Sequence, residues 1–415
     1  MEKLLKFISE NIDKDISRLA LDRNKYPDID MDLAINCIES RRKLKGKVQE
    51  WHDNTDLIFP LKLSAEQCSS SATGAYKAEL AERIVLSSFD LAQNNQEWRI
   101  ADLTGGLGVD SWFFSQKAAE VLYNDMQAAL YEAAGHNFKS LGAYNIKRTC
   151  ANISRETIST VLEGFNPDIV YMDPARRGEG GKKVFLIEDC TPDVLTIKDE
   201  IFKHTRHILI KLSPMADITM VCNRLGSTCR EVHVVSTSGE CKELLIWMDR
   251  QWTGTYTVIA TELHSKSTTA SFAFTLSDES SSIAEIWDGQ ECAYLFEPGK
   301  SLMKAGAYNL ISSRFNISKL GKSTHYYLTN CKETAENLKP YGKVYSILEC
   351  NPLDKRTLKD MSKKYPKAEV TARNIPMDTD TLRKKLGITS GDDAHIFGLK
   401  SDKKGNILIA AKRIF

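Results

Sequence analysis

The chain has 415 residues, of which 42% are hydrophobic and 27% charged, with a formal net charge of +1 and ten cysteines. That length predicts two to three globular domains with a sizeable core. No apolar run approaches the roughly 20 residues needed to span a bilayer, so no membrane-spanning helix and no membrane partner are expected. The cysteines show no C-x-x-C pair or regular spacing, which indicates neither a metal site nor a disulfide framework and predicts reduced, mostly buried thiols.

Residues 1 to about 60 carry helical periodicity, with apolar positions at Leu4, Leu5, Ile8, Ile12, Ile16 and Leu19, and predict a helical N-terminal domain over 1–63. The opening M-E-K-L-L-K-F-I-S-E-N-I has acids early and no small-residue cleavage site, so a cytoplasmic protein is expected. From Ser64 to Leu80 small polar residues give way to a helical pattern, predicting a loop placed to cover a ligand.

Over Arg99 to Trp247 short apolar runs alternate with longer amphipathic ones, the pattern of a mostly parallel sheet with crossover helices. The strands are expected at Arg99–Leu103, Val121–Tyr123, Lys147–Ile153, Asp168–Met172, His207–Leu212 and Val232–Ser236, with Leu244–Met248 returning antiparallel. The fold class is α/β, and this part is assigned to 64–250. Beyond Arg250 the strands Thr253–Thr261 and Thr269–Leu276 open a new α+β domain over 251–340. In it S-D-E-S-S-S reads as a loop, Cys292 to Tyr308 as strand, turn and helix, and His325–Leu328 as a strand. The last part, 341–415, reads strand, helix, strand, helix and two terminal strands. Residues 341–415 hold 16 Lys plus Arg against 9 Asp plus Glu, which suits a polyanionic partner and equally a lysine-rich surface.

Two segments carry chemistry. R-I-A-D-L-T-G-G-L-G-V-D, Arg99 to Asp110, reads as a buried strand, a glycine turn and a helix. Gly105, Gly106 and Gly108 would allow positive φ and close backbone approach to a ligand. The spacing is not that of a dinucleotide fingerprint, yet an acid at the next strand end is still expected to meet ribose hydroxyls. Asp125, in V-L-Y-N-D, stands there. Asn152 ends the third strand, either as a turn residue or as an amide that reads adenine. The second segment is D-I-V-Y-M-D-P-A-R-R-G, Asp168 to Gly178, an apolar strand ending in Asp173-Pro174 and two arginines. A carboxylate beside a rigid proline can accept hydrogen bonds from a target amine. Arg176 and Arg177 are placed to hold phosphate or a base, and Lys211, in I-K-L-S-P-M, is either a substrate contact or a packed stem.

The glycine segment with Asp102 resembles motif I of class I S-adenosylmethionine-dependent methyltransferases. Asp173-Pro174-Ala175-Arg176 resembles the D-P-P-R of some RNA methyltransferases. With Y-L-F-E-P-G-K-S-L-M-K-A-G and E-V-T-A-R-N-I-P-M-D-T-D-T-L-R-K-K-L, the chain resembles a bacterial family of such methyltransferases with C-terminal ferredoxin-like and THUMP-like domains. The resemblance implies a Rossmann-like core of seven strands and S-adenosylmethionine as cofactor, held by Asp102, Thr104, Gly105, Gly106, Gly108, Asp125 and Asn152, with Lys77 drawn towards the cofactor carboxylate. It further implies catalysis at Asp173 and Pro174 and a base in structured RNA, tRNA or rRNA, as substrate, with Arg373, Arg383, Lys384 and Lys385 as phosphate contacts. Alanine replaces the second proline and arginine the aromatic, so the stacking platform of amino methyltransferases is missing. No cysteine follows the fifth strand, which argues against a thiol mechanism unless a distant cysteine folds in. An RNA-binding protein with a non-catalytic core, and a small-molecule or protein methyltransferase, are the alternative readings. The sequence carries no signal for oligomeric state.

Overall fold

The structure, a computed structural model, describes residues 1–88, 97–176, 186–264 and 270–414, with the side chain of Arg176 outside the described set. The chain divides into two compact units, Met1–Val232 with Glu243–Thr255, and His233–Lys242 with Tyr256–Phe415.

The first unit opens with helices α1 (Glu2–Glu10), α2 (Ile16–Leu21), α3 (Met31–Leu44), α4 (Gln49–Asp53), α5 (Lys62–Gln67) and α6 (Ser71–Leu86). α1 buries Leu4, Phe7 and Ile8, one stripe of its helical period. Arg41 in α3 is buried and donates to the carbonyls of His52, Asn54, Thr55 and Leu57, so one side chain satisfies the turn after α4. A capping box between Ser70 and Thr73 starts α6, contributing about 1 kcal/mol.

Strands β1 (Arg99–Asp102), β2 (Glu120–Asn124), β3 (Ile146–Thr149), β4 (Ile169–Met172), β5 (His207–Leu212), β6 (Cys229–Thr237) and β7 (Glu240–Asp249) stand in the order β3-β2-β1-β4-β5-β7-β6. Pairing is parallel from β3 through β5 and antiparallel between β5 and β7. These seven strands take the expected mostly parallel order, but the sheet they belong to has nine strands, not the expected seven. Between the strands lie α7 (Val109–Ser115), α8 (Ala128–Ser140), α9 (Ile158–Leu162), α10 (Val194–Ile201) and α11 (Ile218–Leu225). The order reverses at β1, whose outer neighbours are reached in opposite directions, and ligands of such sheets bind at the carboxyl ends there. β3 stops at Thr149, short of the expected Ile153.

The tip of the β6–β7 hairpin groups with the second unit, where β8 (Thr257–Leu263) pairs antiparallel with β9 (Ala270–Phe274). The S-D-E-S-S-S stretch is not a loop. Thr275 and Asp278 form a capping box that starts helix α12 (Leu276–Ser281), and this overrides the composition. Then follow β10 (Tyr294–Pro298), α13 (Lys300–Ala305), α14 (Tyr308–Phe315), β11 (Ser318–Lys319), β12 (Tyr327–Thr329), α15 (Lys332–Leu338), β13 (Gly342–Pro352), α16 (Lys355–Lys364), β14 (Lys367–Arg373), α17 (Thr379–Leu386), β15 (Thr389–Ser401) and β16 (Gly405–Arg413). Helices α14 and α15 were not expected from the sequence. The strands form one seven-stranded sheet, β11-β12-β10-β13-β16-β15-β14. β10 bonds to β12 on one side and to β13, Tyr294 opposite Ser346, on the other. Residues either side of the expected division at 340 therefore share a sheet. Among the described residues no helix is long and apolar enough to cross a membrane.

Candidate active site

β1 delivers Asp102 to the carboxyl edge of the sheet, and the chain turns at once. The Gly105 N–H donates to Asn124 O at 2.7 Å, and the Gly106 N–H to Asp125 Oδ2 at 2.9 Å. Two positions need glycine. A Cβ on Gly105 would stand 2.2 Å from the Tyr123 ring, and Gly108, at φ +95°, would put one 2.8 Å from Phe138. The Tyr123 hydroxyl donates to Gly106 O at 2.7 Å, so the ring that excludes a side chain at 105 also clamps the turn.

Asp125, 8% exposed, accepts from the Gly106 and Gln127 N–H groups, one on each oxygen. Each oxygen keeps a lone pair for a further donor. Burial raises its carboxyl above the usual range, against the pull of those two N–H groups. Asn124 braces this corner, donating to Leu103 O and Ala151 O and accepting from Thr149 Oγ1 and the Ala151 N–H. Its side chain went unread in the sequence, where it stands beside the more conspicuous Asp125.

Asp102, 1% exposed, accepts from the Thr104 N–H at 3.1 Å and from Ser111 Oγ at 2.6 Å. Burial pushes its carboxyl up to about 8, with Asp110 and Asp173 adding to the rise, against the pull of Ser111 and the Thr104 N–H. Asp110 in α7 goes the other way. Burial would raise it too, yet Lys77, 3.3 Å away, Lys211 and the donors Ser69 and Tyr171 outweigh burial and lower it.

A cleft of about 210 Å³ joins these groups. Asp102, the turn at 104–107, Asp125, Asn152 and Asp173 all line it, so five of the sequence-derived elements converge. Ser64 and Gln67 of α5, with Cys68 and Ser69 just after it, also line the cleft, so the segment expected as a covering loop is helical as far as Gln67. With it comes Cys68, the distant cysteine the sequence left open. Burial raises its thiol above the ordinary value, and it donates to Ala65 O, so it is poorly suited to act as a thiolate at neutral pH.

At the end of β4 the Asp173 N–H donates to Thr104 Oγ1 at 2.6 Å, tying the second segment to the glycine turn. Thr104 thus serves the site through its hydroxyl. Asp173 Oδ2 accepts from Lys211 Nζ, while Oδ1 has no partner among the described residues. Pro174 is buried, and Ala175–Arg176 pairs with Cys190–Thr191 in a short antiparallel ribbon. The Arg176 side chain and all of Arg177 lie outside the described residues.

Lys77 departs from the expectation that it meets a cofactor carboxylate. Its side chain is fully buried, and its ammonium bonds Ser69 Oγ at 2.9 Å and both Glu243 oxygens at 3.0 Å, with Asp110 at 3.3 Å. No donor is left over. Lys211 is likewise no free cation. Burial would lower it, but Asp173, Asp110 and Glu243 outweigh burial and hold it charged, above its ordinary value.

In the second unit Arg373 is exposed and donates to Ala372 O, and Arg383 pairs with Glu369 at 3.4 Å. Lys384 and Lys385 are exposed on α17 and form no ion pair among the described residues. Neighbouring α16 adds the exposed Lys355, Arg356, Lys359, Lys363 and Lys364.

Two family models match the second unit, a ferredoxin-like domain at residues 294–334 and a THUMP domain-like model at 342–413. A crystal structure of a "putative methyltransferase" from Porphyromonas gingivalis W83 is similar over 100% of this chain and 98% of that one, with a TM-score of 0.84 and 26% identity. An rRNA methylase from Streptococcus thermophilus matches 41% of this chain and 93% of its own, at TM-score 0.30 and 12% identity. TrmK of M. capricolum, in complex with S-adenosyl-homocysteine, matches 42% and 69%, at 0.30 and 13%. No curated protein matches in sequence. The chain thus has a methyltransferase fold followed by ferredoxin-like and THUMP-like domains, the combination that the sequence resembles.

Proposed function

We propose that this chain is an S-adenosylmethionine-dependent methyltransferase that modifies a base in structured RNA, tRNA or rRNA. The observation that carries the reading is the convergence of Asp102, the glycine turn, Asp125 and Asp173 on one cleft at the carboxyl edge of a methyltransferase-type sheet.

The residues present fit the cofactor. Asp102 is a buried carboxyl at the cleft without a cation bonded to it among the described residues, and an amino acid's ammonium is the charge it lacks. Asp125 offers an acceptor on each oxygen, which suits a ribose diol and rejects a phosphate. Asn152 also lines the cleft, and in this reading its amide reads the adenine. When bound, S-adenosylmethionine supplies a methyl group on a positively charged sulfur. The chain's own residues orient and enclose: the glycine turn permits close approach, the end of α5 with Cys68 and Ser69 narrows the cleft, and Asp173 presents an acceptor to the target group. In this reading 1–63 is a helical N-terminal part, 64–250 the methyltransferase part, 251–340 the ferredoxin-like part and 341–415 the THUMP-like part that contacts RNA through Arg373, Arg383, Lys384 and Lys385. The RNA assignment is supported by the THUMP-like match and by the basic balance of residues 341–415.

Calorimetry with S-adenosylmethionine on wild type and Asp125→Ala, followed by labelled-methyl transfer to total RNA, tests it. Removing two charge-assisted hydrogen bonds should weaken binding by about 100-fold. A wild type that binds no cofactor refutes the enzymatic reading, and one that labels protein alone refutes the RNA reading.

A further inference from the structure

Behind the cleft lies a buried charge cluster that the cofactor does not explain. Lys77 is fully buried, Glu243 is 2% exposed and Asp110 8%. Lys211, mostly buried, joins them through its charge interactions with Asp110 and Glu243 and through its bond to Asp173. Two ammonium groups thus face three carboxylates. Of those three, Asp110 is held by Ser69, Tyr171 and Lys77, and Glu243 by Lys77 through both oxygens. Asp173 is the least buried of them, its side chain 37% exposed, and its Oδ1 has no partner among the described residues, whereas Asp110 Oδ1, though without a hydrogen bond, lies 3.3 Å from the Lys77 ammonium.

We infer that Lys211 is a positioning residue whose ammonium holds the Asp173 carboxylate as a hydrogen-bond acceptor, so that the atom methylated is a base nitrogen that carries a hydrogen; an N–C bond would form as the methyl–sulfur bond breaks to leave a neutral thioether, and the nitrogen's proton would pass by way of Asp173 Oδ1 to water in the open cleft. The inference rests on the methyltransferase reading above and names its acceptor. Lys211 is assigned to Asp173 and not to the substrate, because its mostly buried ammonium is bonded to Asp173 Oδ2. Asp173 is fixed from two directions, its N–H by Thr104 and its Oδ2 by Lys211, which leaves Oδ1 to receive an N–H. A phosphate, carboxylate or thiolate at that point would meet a cluster with a surplus of negative charge, whereas an amine or amide N–H is drawn to it. The same arrangement explains why the aromatic of the amino methyltransferases can be absent without losing orientation. The carboxylate is locked by a lysine on the adjacent strand, β5.

The test combines kinetics with a spectroscopic readout on the full chain. In lysine-15N-labelled protein the Lys211 ammonium signal, assigned by its loss in Lys211→Arg, should be visible at pH 8 and should move in Asp173→Asn. Methyl transfer to total RNA should fall about 100-fold in kcat in Lys211→Met, with KM changed less than threefold, and Lys211→Arg should recover most of it. In the Asp173→Asn background Lys211→Met should cost nothing further, because the two act as one unit. An ammonium signal indifferent to Asp173→Asn overturns the inference, as does a Lys211→Met loss that is additive with Asp173→Asn. Calorimetry separates the two levels. Loss of S-adenosylhomocysteine binding in wild type counts against the methyltransferase reading, whereas normal binding in Lys211→Met with unchanged kcat counts against the role of Lys211 alone.

Discussion

Asp102→Asn should stabilise the first unit in a strongly pH-dependent way. The carboxyl is 1% exposed and accepts two hydrogen bonds, from the Thr104 N–H and Ser111 Oγ. An amide keeps the first through Oδ1 and can donate to the serine oxygen. Burial pushes the carboxyl from 3.8 to about 8 in the folded protein. The folded state therefore binds this proton more tightly than the unfolded chain does. Stability is fully present below pH 4 and is lost as pH rises towards 8, after which the loss is constant. At about 1.4 kcal/mol per pH unit over about 4 units, the ceiling is about 6 kcal/mol. Relaxation beside a cleft open to water reduces this, and about 2–4 kcal/mol is expected at pH 8. In a unit of this size that corresponds to roughly 5–15 °C in Tm. The assay is tryptophan fluorescence during thermal unfolding at pH 4, 6 and 8, because five of the six tryptophans (Trp51, Trp98, Trp112, Trp247, Trp252) lie in the first unit. Comparing variant with wild type at each pH cancels every other titrating group. A difference that stays flat from pH 4 to 8 refutes the reasoning.

The same carboxyl predicts that S-adenosylhomocysteine binding at pH 7 releases close to one proton per site and almost none at pH 9, read by calorimetry in buffers of different ionisation heat. Gly105→Ala places a Cβ 2.2 Å from the buried Tyr123 ring and should cost about 1–3 kcal/mol of stability, together with at least a tenfold loss of cofactor affinity in the same titration. Reversing two charges, Lys384→Glu with Lys385→Glu, should flatten the salt dependence of RNA binding by about 1.5 in slope, measured by filter binding between 50 and 200 mM salt. This pair of exposed substitutions is a cleaner probe than deleting residues 341–415. Such a deletion would strip β10 of its hydrogen-bonded neighbour β13.

The core sheet was legible because most of its strands are short apolar runs, although β3, I-K-R-T, is not and its bounds differ from those expected, and the acids at strand ends are unusual enough to stand out. Asp102, Asp125 and Asp173 reach one cleft as read. What stayed hidden depends on side-chain direction across long separations. Lys77 lies on α6 and finds Glu243 166 positions later, so its sequence context gives no hint that its ammonium is already taken. Lys211 reads as a lysine at a strand end, and only pairing of β5 with β4 shows that it serves Asp173. Cys68 enters the cleft from a loop whose composition said only that it was small and polar. In the second unit α12 departs from the expected loop, which serine and acids suggest, because the deciding Thr275 stands two residues before them.

The seven-stranded sheet of the second unit has a consequence for the order in which the chain becomes structured. β10 is complete by residue 298, but its neighbour β13 spans 342–352, and the inner partner of β13 is β16, at 405–413. During synthesis at about 5–20 residues per second, these strand edges stand open for several seconds until β16 emerges. A ribosome that stalls after β15 leaves two bare edges where the sheet should be continuous, and such edges pair with other chains. Truncated products ending before residue 405 should therefore be insoluble, although most of the sequence before that point is unaltered.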